Sequence, residues 1–224
     1  MFRNQLIYFV FTFLFFLSSC SKEDRREVKQ TIDSASQILG HELDTIINTK
    51  LDNDSLFKSA PVEPVNSTSL KSKEFRSALN DIFDKYEDIK DELSDDDTAG
   101  VKNSAEEFKK TLMNTVKYAP AADMDNSWKM WVSTTEKIVS ELSAAKTLSI
   151  QRKGFSELTG SMESMIKNFG LDNRTVYKLT CTAIPGKSFW LTESRSLDNP
   201  YSGNDTSNGK DEKCIRVAAS WKFE

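Results

Sequence analysis

Between residues 75 and 169, apolar side chains recur three and four apart in four separate runs. The first run carries Phe75, Leu79, Ile82, Tyr86, Ile89 and Leu93; the second Val101, Ala105, Phe108, Leu112 and Val116. The third carries Trp128, Trp131, Thr135, Ile138, Leu142 and Ala145; the fourth Phe155, Leu158, Met162, Met165 and Phe169. This spacing places each set on one side of a helix and leaves the other side polar. A helix with one apolar side needs neighbours to cover it. Four such helices joined by short connections predict an antiparallel up-down four-helix bundle in a mainly α protein.

The breaks between the runs have chemical causes. Asp95-Asp96-Asp97-Thr98 supplies capping oxygens and negative charge where the second helix begins. Pro120 is expected to end that helix, and Asp125 or Asn126 to cap the third. Gly170 suits a left-handed position after the fourth, with Leu171 folding back as its apolar partner. Past Asn173 the period changes. "TVYKLTCTAI", "SFWLTE" and "CIRVAASWKF" are short and rich in β-branched and aromatic residues, with Pro185-Gly186 between the first two. They predict a small β-rich appendix packed on the helices.

The amino terminus sets a different expectation. One charge, Arg3, precedes an apolar run from Leu6 to Leu17, which is short for a membrane span and sits where a signal peptide belongs. The run ends in Leu17-Ser18-Ser19-Cys20, which resembles a bacterial lipobox, with cleavage before Cys20 and lipid on its sulfur. Ser21 resembles outer-membrane sorting, and Lys22-Glu23-Asp24 the export signal of surface lipoproteins. Residues 1–19 are thus expected to be the signal and 20–69 a lipid-anchored tether. The domain is expected over 70–224. The tether carries one amphipathic helical pattern through Val28, Ile32, Ala35, Leu39, Leu43, Ile46 and Leu51. A linker with two prolines, Asp52 to Ser69, follows. The location implied is the outer membrane, facing the periplasm or the cell surface. The net charge of −4, without a basic run, argues against nucleic acid as a partner.

Little of the chain carries recognisable chemistry. The sole histidine, His41, lies in the tether and has no second histidine at zinc-protease spacing. Asp95, Asp97, Gly100 and Glu106 occupy calcium-loop positions, but Ala99 lacks a ligand oxygen where one is needed. Val101 and Ala105 already belong to a helical stripe, so helix capping is the expected role of this segment. Met162 and Met165 fall on an apolar stripe and read as core, whereas Met124 and Met130 flank Trp128 and suit either core or metal. No acid, base and nucleophile set can be named, which points away from an enzyme.

That leaves Cys181 and Cys214 once lipid takes Cys20. Outside the cytoplasm an even pair of thiols suits a disulfide, and closing a loop of this length stabilises by roughly 3–4 kcal/mol in the chain-entropy model. Two thiolates for Cu(I) or another soft cation are the rival arrangement. Spacing leaves both open.

The segment around these cysteines resembles a known family. Cys181-Thr182-Ala183, Trp190-Leu191-Thr192, Asn199-Pro200-Tyr201-Ser202-Gly203 and Cys214 follow one another in order. They resemble the Cys-Pro-Met, Trp-Leu-Ser, Asn-Pro-Tyr-Phe-Gly and Cys-Gly pattern of an extracytoplasmic domain of unknown function. That domain is found alone or beside the adaptor proteins of copper and heavy-metal efflux pumps. "ELSDDDTAG" and "QRKGFSELTGSM" resemble its acidic turn and final helix. The chain departs from the pattern at Ala183 and Ile215, and by "NDTSNGKDEK" in place of Met-Leu. The resemblance implies a binding module linked to metal handling. The alternative is a structural or protein-interaction module, clasped by a Cys181–Cys214 disulfide, with an envelope protein as partner. Trp190, Asn199, Pro200, Tyr201 and Gly203 are expected to form a packing and turn element that pins the appendix to the helices.

Overall fold

The computed structural model describes residues 54–64, 72–118, 125–182, 189–202 and 214–224. The chain divides into two units, Met1–Asp52 and Asn53–Glu224, and every described residue belongs to the second. The signal, Cys20, the tether helix and His41 lie outside the described residues.

Four long helices follow the four stripes: α1 (Lys73–Ser94), α2 (Thr98–Thr115), α3 (Asp125–Ala144) and α4 (Leu148–Phe169). Each packs on the next, and α1 and α2 also touch α4. The stripes are the core: Leu79, Ile82, Val101, Phe108, Phe155 and Met162 are completely buried. An aromatic cluster closes one end, where the Phe75 ring meets Trp128 and Phe169 edge-on at 5.0 and 6.0 Å. Side-chain oxygens set several helix starts. Ser72 accepts from the Phe75 amide at 3.1 Å. Asp97 accepts from the Ala99 and Gly100 amides at 2.9 Å, and Thr147 from Ile150 at 3.4 Å. Each satisfies a donor that the first turn leaves without an intrahelical partner.

The calcium-loop alternative fails on this geometry. Asp97 is spent on the cap, and Gly100 and Glu106 are inside α2. The end of α2 differs from expectation. The helix stops at Thr115, before Pro120, which is outside the described residues, and Val116 is exposed. A turn from the Tyr118 amide to the Thr115 carbonyl closes the end instead. At the end of α4 Gly170 has a φ of 74°, and its amide bonds Ile166 O at 3.0 Å. That φ strains any residue with a Cβ. Leu171 beyond it is fully buried, as the glycine-terminated helix end predicts.

The carboxy-terminal segment forms an antiparallel sheet in the order β2-β1-β3, from β1 (Thr175–Cys181), β2 (Phe189–Thr192) and β3 (Ile215–Lys222). It packs on α4 and α1 through β2, with Trp190 and Leu191 fully buried. The expected linker is not a free spacer along its first half. Residues 54–58 are a short helix, and Val62 bridges Ser220 of β3 in parallel. The reason is Phe57, which is buried with its ring edge-on to Tyr177 at 4.8 Å.

Candidate functional site

The sheet brings the two cysteines together. β1 ends at Cys181, whose register partner on β3 is Ile215, and Cys214 immediately precedes it. The Thr182 amide donates to Cys214 O at 3.3 Å, the Cα atoms lie 4.8 Å apart, and the sulfurs form a disulfide. Both residues are buried. Soft metals require thiolates, and sulfurs bonded to each other offer none. In this state the pair does not fit a two-thiolate copper site. The thioethers do not replace it. Met162 and Met165 are fully buried core, Met130 is on the surface, and Met124 is outside the described residues.

The other motif residues meet at the seam between sheet and helices. Asn199 Oδ1 accepts from the Tyr201 amide at 3.0 Å, and the Ser202 amide donates to Asn199 O at 3.3 Å. These two bonds form a tight turn with Pro200 inside it. The Tyr201 ring lies 5.9 Å from Phe155 of α4 and 6.4 Å from Trp190 of β2, and its hydroxyl donates to Phe189 O at 3.0 Å. Burial pushes the Tyr201 phenol up to about 12. Gly203 lies outside the described residues.

Three residues that the sequence pattern did not single out hold this seam. Tyr86, read only as a stripe residue, stacks on Phe155 at 5.1 Å. Its hydroxyl shares a 3.0 Å hydrogen bond with Thr159 and accepts the Leu191 amide at 3.0 Å. Burial raises its phenol well above the ordinary range. Arg152 on α4 donates through Nε to Pro200 O at 2.9 Å and through its guanidinium to Leu93 O and Asp96. It thus ties the Asn-Pro-Tyr turn to the acidic turn between α1 and α2. Arg174 spans Asp84 of α1 and Glu193 just after β2. An arginine on a helix face, like Arg152, or in a connecting turn, like Arg174, carries no sequence mark of such a partner. Only the partner's position in space reveals it.

Asp84, Glu87 and Glu193 place carboxylate oxygens within 4.8 Å of one another. Glu87 accepts from the Thr192 hydroxyl at 2.9 Å and the Glu193 amide at 3.0 Å. Burial raises the Glu193 carboxyl above its usual range; the Arg174 charge opposes the shift, and the Glu87 and Asp84 charges add to it. With Arg174 among them, these carboxylates act as an ion-pair network joining α1 to the sheet. Two surface grooves lie along the helices. One of about 480 Å³ lies between α3 and α4 and is lined by Met130, Trp131, Ile138 and Phe169. The other, about 390 Å³, lies between α1 and α2 beside Asp81, Lys85 and Tyr118.

The arrangement defines a mainly helical domain with a small antiparallel sheet sealed onto it. Residues 82–174 match the model of a family described as a protein of unknown function (DUF3347). The match runs from within α1 to the residue before β1, and so stops short of the cysteines, Trp190 and the Asn-Pro-Tyr turn. No curated protein and no solved structure matches the chain. Among the described residues, no helix is long and apolar enough to cross a membrane.

Proposed function

We propose that this chain is a non-enzymatic, lipid-anchored envelope lipoprotein whose helical-bundle domain acts as a protein-interaction module. The observation that carries the reading is the internal use of the motif residues. Cys181 and Cys214 are bonded to each other, Tyr201 is spent on Phe189 O, and Asn199 is spent on its own turn. Groups committed in this way build a scaffold; of the side-chain atoms of these four residues, the buried Asn199 amide nitrogen alone has no partner. Lipid on Cys20 would supply the membrane attachment, with the domain facing the periplasm or the cell surface.

Copper or heavy-metal handling, and a place beside efflux adaptors, belong to this proposal only for a reduced protein. Reduction would free two thiols already held close by strand pairing. The deciding experiment is a thiol count on protein isolated without reductant and alkylated while denatured. The module reading expects lipid on Cys20 and no alkylation at Cys181 or Cys214. Two alkylated thiols, with Cu(I) uptake abolished by Cys181→Ser, would replace it with the metal-handling reading.

A further inference from the structure

Residues 54–64 lie on the outer edge of β3 as a strap, separated from α1 by residues 65–71. Their attachment has four parts. Phe57 is the aromatic anchor on Tyr177. The Ser220 amide donates to Pro61 O at 2.8 Å, and the Glu63 amide donates to Ser220 O at 2.9 Å, so both backbone bonds fall on one residue of β3. The Glu63 carboxylate accepts from the Trp221 indole at 3.0 Å and faces Lys167 at 3.5 Å, whose ammonium lies over the Trp221 ring. Asp54 pairs with Arg195 at 2.7 Å near the other end.

Around Val62 the strap adds to the sheet edge as an extended peptide does, by main-chain bonds and a charge contact, while the helical turn before it seats Phe57. The strap's own sequence keeps the pairing short. Pro61 and Pro64 have no amide to donate, and the Val62 side chain is 74% exposed. Two contacts across the edge are ionic: Glu63 faces Lys167, which also pairs with Glu163 at 2.8 Å, and Asp54 pairs with Arg195. The contrast with the opposite edge is sharp: there the plug is Tyr86, fully buried and part of α1.

We propose that the outer edge of β3 is a docking site for a peptide that presents an aromatic anchor on a single helical turn, followed by a short extended stretch with a carboxylate. Residues 54–64 fill it in cis, and the strap comes off while the rest of the domain stays folded. The strap joins the sheet through backbone bonds at one residue, Ser220, on an edge strand. Such a segment opens at the low end of a protein's range of local stabilities. The inference rests on the interaction-module reading and names a surface for it.

The test is a full chain with a site-specific protease sequence inserted between Asn66 and Ser67, cut after folding. A fluorescent peptide of residues 53–66 is then titrated in. The expected result is saturable binding that displaces the native strap, with the helical circular dichroism unchanged. Peptides carrying Phe57→Ala or Glu63→Gln are expected to bind at least about tenfold more weakly, a difference of about 1.4 kcal/mol. The proposal is overturned if the peptide never saturates, if the altered peptides bind equally well, or if displacement unfolds the helices. These failures leave the module reading standing with another surface. That reading is tested separately, by crosslinking a specific envelope partner to the uncut chain.

Discussion

The helices and the sheet of this domain are held by different means. In α1–α4, burial follows the local period: one stripe per helix, each facing the others, with Lys90, Thr115, Thr135, Gln151 and Thr159 as buried polar exceptions. In the sheet, nearly every stabilising contact joins residues far apart in the chain. Leu191 bonds Tyr86, Glu193 bonds Glu87, Ser220 bonds Pro61, and Cys181 bonds Cys214. A three-stranded sheet with two open edges is marginal by itself and invites association. Here one edge is filled by side chains from α1 and the Asn-Pro-Tyr turn, and the other by backbone from the strap. The helical layer therefore rests on pattern, and the sheet on closure.

The strongest blow to that contrast is truncation at the seam. Trp190→Ala is expected to cost about 3–5 kcal/mol, since the indole is fully buried between sheet and helices. Chemical denaturation should show it, and an effect below 1 kcal/mol would mean that the sheet is an ornament on a self-sufficient helical layer. Next comes the disulfide. With a sequence separation of 33, the Cys181→Ser, Cys214→Ser double variant should lose about 3–4 kcal/mol. Amide exchange should rise in β1 and β3 before it rises in α2, if closure is what holds the sheet.

Tyr86→Phe keeps the ring and removes the hydroxyl that accepts the Leu191 amide. Leaving that buried donor unsatisfied should cost about 1–3 kcal/mol. A neutral outcome would show that the β2 edge is closed by packing alone. The alkaline limb sharpens the same point. Tyr201 ordinarily titrates near 10 and is raised to about 12 here, and Tyr86 is also raised. Both favour the neutral phenol in the folded state. Their contribution is complete below pH 10 and falls as pH rises from about 10 towards 12. Tyr201→Phe should flatten that fall, measured as the denaturation midpoint against pH. The smallest effect belongs to the helices. An added Cβ at Gly160 meets nothing within 4 Å, so Gly160→Ala should stabilise by about 0.5–1 kcal/mol through helix propensity alone.

Legibility in the sequence followed the same division. The four stripes were readable because burial in a helix repeats with the helix itself, and the three strands because the period shifts after Asn173. Asp97 and Gly170 were readable because a cap acts on residues two to four positions away. Tyr86 was visible only as an apolar position; its hydroxyl meets Leu191, 105 residues later. Arg152 and Arg174 gave no sign of their partners, because an arginine on a polar helix face or in a connecting turn is by default solvated. Phe57 was hidden by its prolines and serines, which read as a spacer.

The sequence by itself determined the helices, their buried faces, the change to strands and the presence of two cysteines in the strand-rich segment. These follow from local periodicity, from backbone chemistry and from counting. Only the tertiary structure decided that the thiols join, that the acidic turn receives Arg152, and that residues 54–64 close the edge of β3. Each of these depends on two distant segments arriving at the same place, and no local pattern encodes that distance.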